Sequence, residues 1–200
     1  GYKRLILELG GSSALLVLED ADIEEAVAIT IAGLFKNSAQ RCTAIRRLLV
    51  HNSLAERFAE KLVAATTAIK YGDPYDPQND MGTVISVEAG KEIECRVDDA
   101  LARGARLLTG HKRDGALYPP TVLDCVENDY PLVAQETFGP VAPIIRFDTL
   151  DEAIAIANDT PSALPSGLVS NHWPSTPRAL TDLEVGPITV NQPPRHRLHW

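Results

Sequence analysis

An α/β fold, with a mostly parallel twisted sheet and flanking helices, follows from three features of this 200-residue sequence. Short apolar runs alternate with segments of about 10–18 residues patterned at the helical period, the rhythm of βαβ units. The runs are near-continuous in Leu, Ile and Val, as in strands covered on both faces. A hydrophobic fraction of 44% is ample for a buried core, and the length suits one large domain or two small ones.

The first expected strands are residues 4–9 and 14–18, separated by Gly10-Gly11-Ser12-Ser13. A helix is expected from Asp22, which has capping-box spacing to Glu25. Ile23, Ala26, Val27, Ile31, Leu34 and Phe35 recur there at the helical period. Residues 44–51 form the next strand. Ser53 and Glu56 read as a capping box for a second long helix, striped by Leu54, Phe58, Leu62, Ala65 and Ile69 and stopped by Gly72. Residues 71–80, with Pro74 and Pro77, form a loop. A third helix spans 87–103 and ends at Gly104. Strands are expected at 105–109, 120–126 and 141–147, and Thr149 with Glu152 caps a helix reaching Asn158. Short strands at 167–170 and 188–191 flank a helix near 176–183. Seven of the 14 prolines fall between Pro161 and Pro194, so the last third is loop-rich. Residues 192–200 have no cap or strand pattern and read as a truncated end.

Several function classes are disfavoured. The charge, 19 − 27 = −8, has no basic patch behind it, which argues against nucleic acid and anionic membrane as partners. The longest apolar stretch, near 26–35, is about ten residues, short of the ~18 that a membrane span needs. No signal-peptide pattern opens the sequence. Three cysteines argue against a disulfide framework and for a reducing, cytoplasmic setting. His51, His111 and His172 are isolated, and His196 and His199 have no Cys or acidic neighbour, so no metal site is expected.

The residues that could carry chemistry are few. Cys95 lies in a helix stripe and Cys125 in a strand, and both read as core residues. Cys42 follows a helix within Asn37-Ser38-Ala39-Gln40-Arg41-Cys42-Thr43-Ala44 and precedes a strand. There a thiol can be exposed, with Arg41 or local backbone dipoles favouring the thiolate, although position alone favours an inert loop cysteine. Glu8 interrupts an apolar run just before Gly10-Gly11. It is either on a wet strand face or a base whose pKa is raised by its surroundings. Gln135-Glu136-Thr137-Phe138-Gly139-Pro140 joins a carboxylate, an aromatic ring and a Gly-Pro turn, although an ordinary loop has the same make-up.

Taken together, these segments resemble the NAD(P)-dependent aldehyde dehydrogenases. Leu7-Glu8-Leu9-Gly10-Gly11, then Cys42 preceded by Phe35 and Gln40, then Glu136-Thr137-Phe138-Gly139-Pro140 is that family's ordered motif set. Leu18-Glu19-Asp20-Ala21-Asp22 is also typical of it, and residues 37–50 resemble the phosphonoacetaldehyde and lactaldehyde dehydrogenases in particular. The resemblance implies that Cys42 is the nucleophile and Glu8 the base that activates water. It implies that Glu136 holds the nicotinamide ribose, that Phe138 packs near the nicotinamide, and that the backbone at Leu9 and Gly10 approaches the carboxamide. NAD or NADP would be the cofactor, and the acceptor of the thioester would be water. The backbone N–H of Cys42 would be one oxyanion donor.

Where the family usually has glycine, this chain has Ala39, and Ser162-Ala163-Leu164-Pro165 replaces a stretch that usually reads Tyr-Gly-Leu-Ser. The resemblance makes residues 1–200 one catalytic domain, without the family's cofactor-binding domain and oligomerisation tail; the full-length form would be a homo-oligomer. Arg41, Arg46 and Arg47 near Cys42 hint at a small anionic aldehyde. Two other readings stand beside this one: a cofactor-independent thiol esterase using Cys42 and Glu8, and a catalytically silent fragment.

Overall fold

The computed structural model describes residues 2–5, 9–172 and 174–194. Among these described residues seven strands form one sheet: β1 (Ala14–Val17), β2 (Arg47–His51), β3 (Arg106–Thr109), β4 (Thr121–Asp124), β5 (Val141–Phe147), β6 (Ser166–Val169) and β7 (Ile188–Val190). Their spatial order is β3-β4-β5-β2-β1-β6-β7. All neighbours pair in parallel except β3 with β4. The α-helices among the described residues are α1 (Ile23–Leu34), α2 (Asn52–Thr67), α3 (Val87–Ala102), α4 (Pro131–Ala134), α5 (Leu150–Asn158) and α6 (Ser175–Asp182).

The apolar runs are strands because both sheet faces are covered. Alternate residues point to opposite faces. Leu15, Val17, Leu48, Val50 and Ile144 pack with α1 and α2, through Leu34, Phe58 and Leu62. Leu16, Leu49, Ile145, Leu123 and Leu168 pack with α3, α5 and α6, through Ile93, Val97, Ala153 and Ala179. Burying one such side chain contributes about 1.5–3 kcal/mol.

Most expected elements form within a residue or two of their sequence bounds. Asp22 caps α1 by accepting from Glu25 N–H at 3.1 Å, and Thr149 caps α5 through Glu152 N–H at 3.2 Å. Four expectations are corrected. Residues 4–9 are not a buried strand where they are described: Arg4, Leu5 and Leu9 lie outside the sheet, and Leu5 and Leu9 are exposed, because β1 already has β2 and β6 on its two sides. Residues 6–8 of that run lie outside the described residues.

The cap of α2 is His51, whose Nδ1 accepts from Ser53 N–H at 3.2 Å. Glu56 instead reaches Arg146 at 2.7 Å. Gly72 does not stop α2, which ends at Thr67 before the chain turns back to bridge Tyr71 and Met81. Cys95 and Cys125 are exposed, not core: Cys95 falls off the buried Ile93–Val97–Ala100 stripe of α3, and Cys125 sits just past β4 at φ 55°. No helix among the described residues is long and apolar enough to cross a membrane.

Candidate active site

Three motif segments far apart in sequence enter three adjacent parallel strands from the same end. Gly10–Ser13 leads into β1, Cys42–Arg46 into β2, and 135–140 into β5. Parallel pairing of β1 with β2 and of β2 with β5 therefore places them together at the amino ends of the central strands.

Cys42 is half-buried and lies with Thr43 inside a turn closed by Ala44 N–H to the Arg41 carbonyl at 3.1 Å. The chain reaches it from α1 through a 3-10 segment, Lys36–Ala39, wound the wrong way for L-residues. Asn37 (φ 58°), Ser38 (φ 52°) and Ala39 (φ 58°) are all left-handed. Each such residue costs about 1–2 kcal/mol, least for Asn. At Ala39, the position where glycine was the expectation, the methyl meets that cost directly. The turn persists because its surroundings over-determine it. Ser38 Oγ donates to the Gly82 carbonyl at 3.0 Å, Gln40 Nε2 donates to the Thr83 carbonyl at 3.3 Å, and Gln40 Oε1 accepts from Ile85 N–H at 2.7 Å.

Glu136 and Phe138 sit on the turn after α4. That turn is tied internally by Thr137 Oγ1 donating to the Leu132 carbonyl at 2.8 Å. From α3, Arg96 Nη1 donates to the Glu136 carbonyl at 2.7 Å and contacts Thr137 Oγ1 at 2.9 Å. The Glu136 carboxylate is 31% exposed and accepts from Gly11 N–H at 3.1 Å. Its Oε2 lies so near Gly10 that a Cβ there would come within 2.1 Å. The Phe138 ring is 41% exposed. The structure thus brings Gly10, Glu136, Phe138 and the Cys42 turn together. Leu9 is exposed beside them, and Glu8 lies outside the described residues.

The three arginines are used differently from the sequence expectation. Arg47 is buried, donating to the carbonyls of Ser12 (2.9 Å), Ile156 (2.7 Å) and Ala157 (2.8 Å); burial lowers its pKa to about 10, against the pull of Asp159. Arg41 turns back on α1, donating to the Gly33 carbonyl at 2.8 Å and the Lys36 carbonyl at 3.2 Å, which satisfies helix-end acceptors. Arg46 is buried between the Cys42 turn and the Glu136 turn. It donates from Nη1 to the carbonyls of Ala39 (2.8 Å) and Thr137 (2.9 Å) and from Nη2 to the Arg41 carbonyl (2.9 Å). Burial lowers its pKa to about 10, opposed mainly by Glu136, so it stays charged at neutral pH. These guanidinium groups hold protein carbonyls, so the hint of an anionic substrate drawn from them loses its geometric basis. Arg96 and Gln40 also bond into these turns, and no motif marks Arg96, which looks like any helix-surface arginine in sequence.

The sequence matches the aldehyde dehydrogenase family over residues 1–199. The chain belongs to that family. Among the most similar relatives is the 3-sulfolactaldehyde dehydrogenase of Priestia aryabhattai, 36% identical over 99% of this chain and 42% of that protein. The NADP-dependent succinate-semialdehyde dehydrogenase of Mycobacterium avium is 39% identical over 94% of this chain and 41% of its own length. A solved succinate-semialdehyde dehydrogenase from Burkholderia pseudomallei superposes with a TM-score of 0.94 at 37% identity, over 98% of this chain and 41% of that one. The glyceraldehyde-3-phosphate dehydrogenase of Methanocaldococcus jannaschii, solved with NADP, gives a TM-score of 0.93 at 38% identity, over 98% of this chain and 43% of that one. The chain thus spans about two fifths of the length of the relatives it matches.

Proposed function

We propose that the protein oxidises an aldehyde to its carboxylic acid with NAD or NADP, and that residues 1–200 are a single catalytic domain. The observation that carries this reading is the meeting of the Cys42 turn, Gly10 and the Glu136–Phe138 turn at the amino ends of β1, β2 and β5. Family membership supports it.

In this reading the Cys42 thiolate adds to the aldehyde carbon, a C–S bond forms, and the carbonyl electron pair moves to oxygen. The backbone N–H of Cys42 donates to that oxyanion. A bound nicotinamide would supply the hydride acceptor that conversion of the thiohemiacetal to a thioester needs. Glu8 takes a proton from the attacking water, and hydrolysis releases the acid and returns the thiolate. Glu136, Phe138, Leu9 and Gly10 hold the cofactor. The donor set fits: Glu136 offers carboxylate lone pairs to ribose hydroxyls, and glycine at position 10 keeps that side of the carboxylate clear.

The substrate we assign is a small aldehyde with an acidic group. Its support is the kinship to relatives named for sulfolactaldehyde, sulfoacetaldehyde and succinate semialdehyde. A cytoplasmic homo-oligomer is the setting we assign to the full-length protein.

The test is NAD(P)H formation by the protein at its full natural length, against sulfonated, carboxylated and neutral aldehydes. Oxidation with a preference for the anionic compounds is expected. Cys42→Ser should abolish it, and Glu8→Gln should leave one rapid turnover without steady-state release. Ester hydrolysis with no cofactor reduction would instead favour a thiol esterase.

A further inference from the structure

We infer that Arg46 is a positioning residue that couples the nucleophile to the cofactor-binding turn, an inference that rests on the functional reading above. One guanidinium reaches both. On one side it donates to the carbonyls of Ala39 and Arg41, which bracket the approach to Cys42. On the other it donates to the Thr137 carbonyl, lies with Cζ 4.5 Å from the centre of the Phe138 ring, and faces Glu136 Oε1 across 3.9 Å. Its own N–H donates to the Ser13 carbonyl at 2.8 Å, which fixes it to the entry of β1. Its side chain is 4% exposed, and Nε has no hydrogen-bond partner among the described residues.

The geometry requires a fork. Three carbonyl bonds leave Arg46 in two different directions, with an aromatic face against the same plane, and a point-charge ammonium cannot reproduce that set. Two consequences differ in chemistry. The positive charge lies beside the turn that carries Cys42. The bond to Thr137 and the stacking on Phe138 set where Glu136 and Phe138 stand. A lysine keeps the first and loses most of the second; a methionine loses both.

The experiment compares wild type, Arg46→Lys and Arg46→Met at full natural length. Three quantities are read: the iodoacetamide rate at Cys42 at pH 7, the KM for NAD(P), and kcat. Arg46→Met should slow Cys42 alkylation by about tenfold and raise the cofactor KM by about tenfold, as loss of a neighbouring cation and of charge-assisted bonds implies. Arg46→Lys should restore the alkylation rate to within about twofold while the cofactor KM stays raised, because charge survives and the fork does not. Should Arg46→Met fail to fold, the Lys variant decides alone. Lys with a wild-type KM, or a folded variant that loses only thermal stability while all three quantities stay unchanged, overturns the assignment. A wild-type protein that binds no NAD(P) and whose Cys42 reacts more slowly than Cys95 and Cys125 overturns the functional reading itself, separately from Arg46.

Discussion

Two polar clusters flank β2 and β5, and they are built on opposite principles. On the side of β4, Asp124 is fully buried. It accepts from Arg146 at 2.6 Å and 3.0 Å, from Arg106 at 2.7 Å and from Cys125 N–H at 2.7 Å, with Glu56 closing the ring through Arg146. Each side chain in it has close partners, and one residue, Cys125 at φ 55°, departs from ordinary backbone. At the amino ends of β1, β2 and β5 the bonds converge on loops instead. Three consecutive residues are left-handed, one buried guanidinium nitrogen has no hydrogen-bond partner among the described residues, and the Glu136 carboxylate stands 3.9 Å from that guanidinium and partly open. The first arrangement stabilises a fold. The second stores strain and keeps groups available, as a site that must receive a ligand does.

The largest expected effect that separates the two is on chemistry. Cys42→Ser should lower aldehyde oxidation by at least about 1000-fold, as loss of a nucleophile does. The thermal midpoint should move little, because the thiol is half-buried; steady-state rates and a circular-dichroism melt check both.

Asp124→Asn should do the reverse. It should cost about 2 kcal/mol, less than for a fully buried pair because Arg146 and Arg106 remain partly wet. Urea unfolding measures this, and the folded fraction should keep its kcat. Burial pushes the Asp124 carboxyl up, but the bonds from Arg146, Arg106 and Cys125 N–H outweigh it and hold the pKa below the ordinary 3.8. A depressed folded-state pKa means the stabilisation is complete above the unfolded value and is lost as pH falls through the folded one. Wild type should therefore lose stability below about pH 4, and Asp124→Asn should flatten that acid limb.

Gly10→Ala sharpens the contrast further. The added methyl meets the flexible end of Glu136, not backbone, so stability should change little while the displaced carboxylate raises the cofactor KM by about fivefold. Unchanged KM would remove Glu136 from cofactor binding. The smallest effect is Ala39→Gly. Relief of left-handed strain, offset by glycine's unfolded-state entropy, should stabilise by about 0.5 kcal/mol in denaturant melts.

The sheet was legible because a parallel strand buried on both faces announces itself as an unbroken run, and 141–147 matched its strand to the residue. The order of the strands could not be read from any one run. Yet it is the order that brings Gly10, the Cys42 turn and Glu136 together. Failures came where tertiary partners override local pattern. Ser53 and Glu56 have capping spacing, but His51 and Arg146 compete successfully for them. Cys95 and Cys125 have apolar neighbours in sequence, yet helix phase and the turn after β4 send both outward. Arg41, Arg46 and Arg47 looked available to a substrate because sequence cannot show that carbonyls already occupy their donors.

The exposure of the three thiols allows a direct test of Cys42 as the activated nucleophile. Cys95 and Cys125 are the exposed thiols and Cys42 is only half-exposed, so accessibility alone ranks Cys42 slowest. Limiting iodoacetamide, followed at each cysteine by mass spectrometry across pH, separates access from activation. The account predicts that Cys42 reacts fastest at neutral pH despite its burial, and that NAD(P) changes its rate but not those of the other two. Rates that simply follow exposure, with Cys42 last, would contradict it.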